Sequence, residues 1–504
     1  MIHHLSPGRK RWGVAALAAA TLGTPLIAAS ATSTAAAADP VNPTVELQAP
    51  AAVTAFTYGR GNIYSDLGIR LEVSGAPLEI WEQRAADYKS APTAVAKLPL
   101  GDVDLPDQTT IGKLDSFVRI KLVDRNDPDA QPVVKKRGTC IGETSERAHP
   151  DADINNPYPR TCYYNPYSLG GVQGIPDGWA ASIFGYDVPF HVAPGEYDLT
   201  VSVTKAYADA LGMSEDDRTT TTVLTVVEEG GCIIDKQTAR GCRTHADPRL
   251  KPNRHEPDPA GGIDSLADLP EGTPVPDLRS LPAFGIQLNR KGTQLQFSAN
   301  VWNGGNSPLV VDGFRRDDED IMDAYQYFLD ANGDQVAYQQ VGTMEWDPRP
   351  THQHWHFTDF ATYELLNADK TRAVRSGKEA FCLANTDAVD FTGEGAEWEA
   401  YEDDLGSVCG GYETRSIREV LSAGWGDTYA QFRAGQSFAI KNLPDGLYYV
   451  RVLANPEDVL IEADTTNNEA LRKIHLWTDK TGKRRVTVPQ VGVVDESQGI
   501  YYRR

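Results

Sequence analysis

Helical periodicity, basic charge and metal-type cysteine spacing are all in short supply along this chain of 504 residues. Few stretches sustain a helical period, the best being Arg415 to Leu421, which argues against helix bundles and βαβ units alike. Lysine and arginine number 48 against 70 aspartates and glutamates, for a formal net charge of −22. That deficit excludes nucleic acid and an anionic membrane surface as the main partner, and an acidic surface concentrates cationic ligands instead. None of the six cysteines (Cys140, Cys162, Cys232, Cys242, Cys382 and Cys409) stands in a Cys-x-x-Cys pattern, which excludes a thiolate zinc centre of that spacing. Histidine is rare too, with ten residues in all.

Three of those ten stand at every second position in Thr351-His-Gln-His-Trp-His-Phe357. In a β-strand, alternate side chains share a face, so His352, His354 and His356 would project together. Adjacent ones would lie about 6 to 7 Å apart at the backbone, a gap two imidazoles span to reach one ion about 2 Å from each nitrogen. The other reading is a polar strand face turned to solvent. Clustering of three rare residues at spacing two favours the metal.

Residues 1–38 read as a secretory signal peptide, with basic Arg9, Lys10 and Arg11 ahead of a small apolar run that Pro25 interrupts. The run is too rich in alanine and glycine for a membrane anchor, so a secreted, extracellular protein with no membrane insertion after signal cleavage is expected. Six cysteines in three sequence-local pairs agree with an oxidising compartment, although six allow 15 connectivities. About 465 mature residues exceed one core and predict two domains. Residues 39–229 alternate in short β-branched runs such as Phe117 to Val123 and Tyr197 to Val203, the pattern of an N-terminal β-sandwich domain. A proline-punctuated linker follows at 230–276, then a second β-rich block at 277–478 and a C-terminal tail at 479–504. In the second block Asn332-Gly333 is a hairpin cue. The fold class expected is all-β.

The second block resembles the lysyl oxidase family in four segments. Glu345-Trp346 followed by His352-Gln-His-Trp-His356 is similar to the family's copper-binding segment. Lys378-Glu-Ala-Phe-Cys-Leu383 looks like the segment with its cofactor lysine, and Gly426-Asp-Thr-Tyr429 like the one with its cofactor tyrosine. Gly446-Leu-Tyr-Tyr-Val450, Asn455-Pro456 and Glu462-Ala-Asp-Thr-Thr-Asn-Asn468 resemble its closing strand pair. The resemblance covers about Leu281 to Trp477 and implies a β-sandwich-like catalytic domain. It implies copper (Cu2+) on His352, His354 and His356, and a lysine tyrosylquinone formed from Lys378 and Tyr429. The activity it implies is oxidation of a primary amine or peptidyl lysine by O2 and water to an aldehyde, with release of ammonia and hydrogen peroxide.

The expected relative is a bacterial, secreted lysyl oxidase-like protein, and two departures from the animal pattern imply a site similar in core ligands but differently supported. The space between Trp346 and the histidines is two residues longer and lacks a histidine and a cysteine, and Cys382 with Cys409 is the only candidate bridge in the block. A general base is required, with Asp347, Asp359 and Asp427 nearest the matched motifs. Glu394 to Asp404 is acidic and aromatic, suited either to a lid that attracts cationic amines or to a solvated excursion. Two other functions share the same histidines. One is a zinc-dependent hydrolase, since three histidines and a water also make catalytic zinc, and the other an adhesive extracellular protein that sequesters copper.

Overall fold

The computed structural model describes residues 40–58, 62–184, 187–228, 256–317, 319–348, 354–376, 380–399, 409–412, 414–433 and 435–498. Strands dominate, and the fold is all-β. The α-helix among the described residues, Lys205–Leu211, is closed by Gly212 in the left-handed region at φ 70°. No helix among these residues is long and apolar enough to cross a membrane.

The first half builds three sheets. In the seven-stranded one, Gly195–Val203 buries Tyr197, Leu199, Val201 and Val203 and leaves the residues between them half-buried, the alternation of a strand with one face on a core. Its pairings are antiparallel except for Thr219–Glu228, which runs parallel to Ala52–Tyr58. The second half also builds three sheets. One carries Leu278–Ser280, Gln294–Asn303, Trp425–Tyr429 and Asp387–Ala388 in that order, with Phe284–Leu288 and Ser437–Ala439 also paired to Gln294–Asn303. Another orders Ala380–Phe381, His354–Thr358, Gln335–Asp347, Ile321–Leu329, Leu309–Arg315 and Ser416–Leu421. The third places Arg484–Thr487 at an edge beside Glu469–Thr478, so part of the expected C-terminal tail joins the sheet. Asn332-Gly333 turns the hairpin between Ile321–Leu329 and Gln335–Asp347, with Gly333 at φ 82°.

Arg415 to Leu421, the stretch whose spacing comes nearest a helical period, is a strand over Ser416–Leu421, paired with Leu309–Arg315. Ile417 and Leu421 enter the main core, while Val420 faces the opposite side among Val310, Phe314, Tyr325 and Tyr327. A strand covered on both faces loses its clean period of two and imitates a helical stripe.

The two halves meet along residues 387–398. Leu169 N donates to Val389 O at 2.7 Å, Ser168 Oγ donates to Ala388 O at 2.8 Å, and Tyr163 packs edge-on against Phe391. Glu496 of the tail accepts from Tyr167 at 2.8 Å and pairs with Arg472 at 2.5 Å, tying the first half to the second. Of the expected linker, residues 256–276 are described and dock on the second half: Tyr325 Oη donates to Glu256 and Tyr338 Oη to Asp258 O, each at 2.9 Å. Disulfides join Cys140 to Cys162 and Cys382 to Cys409; Cys232, Cys242 and the leader lie outside the described residues.

Candidate metal and cofactor site

The histidine strand, His354–Thr358, is short and lies second from the edge of its sheet, with Gln335–Asp347 on one side and Ala380–Phe381 on the other. Alternation sends His354 and His356 to one face and Trp355 to the other. His356 is buried and His354 half-buried, and their Nε2 atoms stand 2.9 Å apart with the rings nearly perpendicular at 86°. Two nitrogens each about 2 Å from one ion lie about 3 Å apart, so this pair already has the spacing of two ligands on a shared metal. Nitrogen donors without thiolate suit Cu(II). Asp347 Oδ2 lies 3.5 Å from His356 Nδ1, where a carboxylate keeps the Nδ1 proton and leaves the Nε2 lone pair for a metal. His352 lies outside the described residues.

The opposite face is a rigid support. Trp355 is fully buried, packs edge-on against Trp346 at 5.7 Å, and receives the Arg315 guanidinium over its ring at 5.3 Å. Arg315 also lies 4.6 Å from the Tyr412 ring. Trp355 N and Nε1 donate to Cys409 O at 2.9 Å and Gly411 O at 3.1 Å, so the disulfide end of the 382–409 loop hangs on the histidine strand.

Tyr429 ends the tyrosine strand, Trp425–Tyr429. Its hydroxyl donates to Cys382 O at 3.1 Å and accepts from Cys382 N at 3.0 Å, and Phe381 meets its ring edge-on at 5.1 Å. Phe381 is paired in turn with Phe357 of the histidine strand. The segment after Lys378 is thus hydrogen-bonded to both the histidine strand and the tyrosine. Lys378 itself lies outside the described residues. Burial holds the Tyr429 phenol well above its usual value, and the neighbouring Asp427 carboxyl pushes it the same way.

Of the three aspartates nearest the motifs, Asp347 backs His356, and Asp359 is a turn residue at φ 63°. Asp427 is buried two residues before Tyr429 on the same strand. Glu419 escaped the sequence reading altogether. It is fully buried, and its Oε2 accepts from Leu383 N at 2.9 Å. The one signal for it was an acidic residue inside the run Ile417 to Leu421. The acidic loop divides: Trp398 docks through Nε1 to Phe391 O and against Trp81 of the first half, while 400–408 lie outside the described residues.

Residues 325–485 match the lysyl oxidase family model. Among curated proteins it is similar to human lysyl oxidase homolog 1, 31% identical over 132 residues, which are 26% of this chain and 20% of the relative. It is also similar to human protein-lysine 6-oxidase, 32% identical over 129 residues covering 24% and 26%, and to bovine lysyl oxidase homolog 2, 29% identical over 192 residues covering 38% and 21%. The chain spans about a fifth to a quarter of the length of these relatives.

Proposed function

We propose that this chain is a secreted amine oxidase dependent on copper and lysine tyrosylquinone. Its substrates in this reading are primary amines, either peptidyl lysine or small diffusible amines. The observation that carries it is the convergent Nε2 pair of His354 and His356 one strand away from the segment that clamps Tyr429. The names and 29–32% identities of the relatives support the same reading.

His352, His354 and His356 would hold copper, and Tyr429 and Lys378 would form the quinone. When bound, these groups supply the two-electron oxidation of a primary amine by O2, with aldehyde, ammonia and hydrogen peroxide as products. The chain's own residues orient and shield. Asp347 selects the His356 tautomer that leaves Nε2 as donor. The Cys382 peptide fixes the Tyr429 ring through its oxygen, and Phe381 covers one edge of it. The acidic net charge raises the local concentration of protonated amines.

Metal analysis with a quinone redox stain tests the reading. Copper with a stain that disappears in Tyr429→Phe and in Lys378→Ala is the expected result. Zinc without quinone, or copper without amine turnover, overturns it.

A further inference from the structure

A short stretch of the second half, residues 386–398, is gripped from two sides. On one side stands the first half. Leu169 N and Gly170 N donate to Val389 O at 2.7 and 3.2 Å, and Phe391 N donates back to Gly170 O at 3.0 Å, a parallel bridge between Gly170 and Asp390. Ser168 Oγ donates to Ala388 O at 2.8 Å, the Tyr163 and Phe391 rings lie 5.5 Å apart, and those of Trp81 and Trp398 6.2 Å. On the other side stands the entry of the tyrosine strand. Val389 N and Asp390 N donate to Gly424 O at 2.9 and 3.0 Å, Thr386 N donates to Gly426 O at 3.0 Å, and Thr428 N donates to Thr386 Oγ1 at 2.6 Å. Trp425 is fastened through Nε1 to Glu397 O at 2.6 Å and packs its ring 5.1 Å from Phe391. Ile111, Tyr163 and Val172 of the first half enter the same apolar cluster as Phe391 and Trp425.

Both grips close on residue 390 so tightly that a side chain fits on neither. A Cβ at Gly170 would lie 2.1 Å from Asp390 Oδ1 and 2.4 Å from Thr392 Oγ1. Those atoms are tied to each other, since Asp390 Oδ1 accepts from Thr392 N at 2.9 Å and from Thr392 Oγ1 at 2.7 Å. A Cβ at Gly424 would lie 2.5 Å from Asp390 O, and Gly424 itself sits at φ 84°. Glycine in such places marks the close approach of another backbone. Strand Asp387–Ala388, by contrast, has two residues, lies at the edge of its sheet and pairs there with Trp425–Tyr429. So short a ladder supplies little stability of its own, and the grip from the first half decides how firmly this edge is set.

We propose that the first half is a positioning element for Tyr429, acting through a strut that runs from Gly170 through residues 389–391 to Gly424 and into the tyrosine strand. Gly170 and Gly424 are its positioning residues. The strut fixes the entry of that strand, while the Cys382 peptide fixes the Tyr429 hydroxyl at its end. The histidine strand is held by other neighbours, Gln335–Asp347, Ala380–Phe381 and the Cys409 carbonyl. Loosening the strut therefore frees the tyrosine and leaves the pair of His354 and His356 in place. The consequence for cofactor formation rests on the amine-oxidase reading above, and the positioning itself does not.

Gly170→Val tests the strut, because position 170 opens the extended strand Gly170–Ile175, where a β-branched residue suits the backbone and only the contact with Asp390 suffers. The first readout needs neither copper nor quinone. In hydrogen–deuterium exchange on the metal-free full chain, peptides spanning 386–391 and 424–429 should exchange about tenfold or more faster than in wild type, with 354–358 unchanged. Ser168→Ala removes the bond to Ala388 O without adding bulk, and should move the same two peptides the same way by about threefold. It carries the comparison if Gly170→Val does not fold. Tyr167→Phe removes a contact between the halves that lies off the strut, the 2.8 Å bond to Glu496, and should leave both peptides at the wild-type rate. Unchanged exchange at 424–429 in the two strut variants, or equal acceleration in Tyr167→Phe, overturns the strut.

The second readout uses copper-loaded protein. Gly170→Val should keep wild-type copper stoichiometry yet lose about tenfold in quinone per copper, read with a hydrazine probe, because a tyrosine displaced by a fraction of an ångström reacts poorly. Tyr167→Phe should keep both. An unchanged quinone yield in Gly170→Val, or loss of copper together with quinone, overturns the assignment to Tyr429. Wild-type protein that forms no quinone sinks the amine-oxidase reading instead, and exchange alone then decides the strut.

Discussion

The two halves of this molecule are made of the same material, antiparallel sheets closing on apolar cores, yet they treat buried acids differently. In the first half Glu82 is fully buried and held by Gly112 N at 2.8 Å and Gln173 Nε2 at 2.7 Å, and its carboxyl is pushed up to about 7. It serves the packing of strands Leu78–Gln83 and Gly170–Ile175 around it. In the second half Glu419 is equally buried, but its neighbours are an aspartate, the backbone of the segment that clamps Tyr429, and a disulfide. A buried acid is therefore no sign of chemistry in itself. What separates the two is the company: several groups with complementary chemistry brought together from strands far apart in the chain.

The comparison can be broken in several ways. The largest expected effect is in the second half: Tyr429→Phe should remove all quinone and all amine turnover while circular dichroism and the melting transition stay close to wild type. The disulfides give a matched pair. Breaking Cys140–Cys162 or Cys382–Cys409 by serine substitution should each cost roughly 3 kcal/mol in denaturant unfolding, since their separations of 22 and 27 residues are alike. Only the second should also lower quinone yield, because Cys382 holds the Tyr429 oxygen. Equal yields from both would dissolve the distinction between the halves.

Glu82 sharpens the contrast through pH. Its folded value lies near 7 and its ordinary value near 4.5, so the folded state binds the extra proton between them. Stability from this group is full below about 4.5 and is lost as pH rises through 7, for a total of about 3 kcal/mol. Glu82→Gln should flatten unfolding free energy over that window, and an unchanged slope would count against the assignment. Next in size, Asp347→Asn should weaken copper binding by about 10- to 100-fold in a competition titration, with the fold intact. The smallest effect belongs to the first half again. His149, whose Nε2 lies 2.9 Å from Glu72 on the surface, should change to alanine with no loss of copper stoichiometry.

Much of the strand pattern was legible along the chain. Tyr197 to Val203 reads as a strand and is found within Gly195–Val203, and Asn332-Gly333 turns the chain with Gly333 at positive φ. The facing of His354 and His356 follows from a period of two. Arg415 to Leu421 carries a helical-looking spacing although it is a strand, because cores on both faces blurred that period. Glu419 and the support under Trp355 were not legible, since each depends on a partner from a distant stretch. Arg315 reaches Trp355 across 40 positions and Leu383 reaches Glu419 across 36, and no local pattern encodes such pairs.

By itself the sequence determined the all-β class, the spacing that puts two imidazoles on one strand face, and the motifs shared with lysyl oxidases. These are local properties, carried by residue type and period along a few positions. Tertiary structure alone decided that the segment after Lys378 would lie between the histidine strand and Tyr429. It also decided that Trp355 would anchor the disulfide end of the loop, and that Glu419 would meet the charge of Asp427 in the core. Those outcomes come from sheet order and from the packing of one sheet against another, where burial holds an ordinary glutamate's carboxyl well above its usual range.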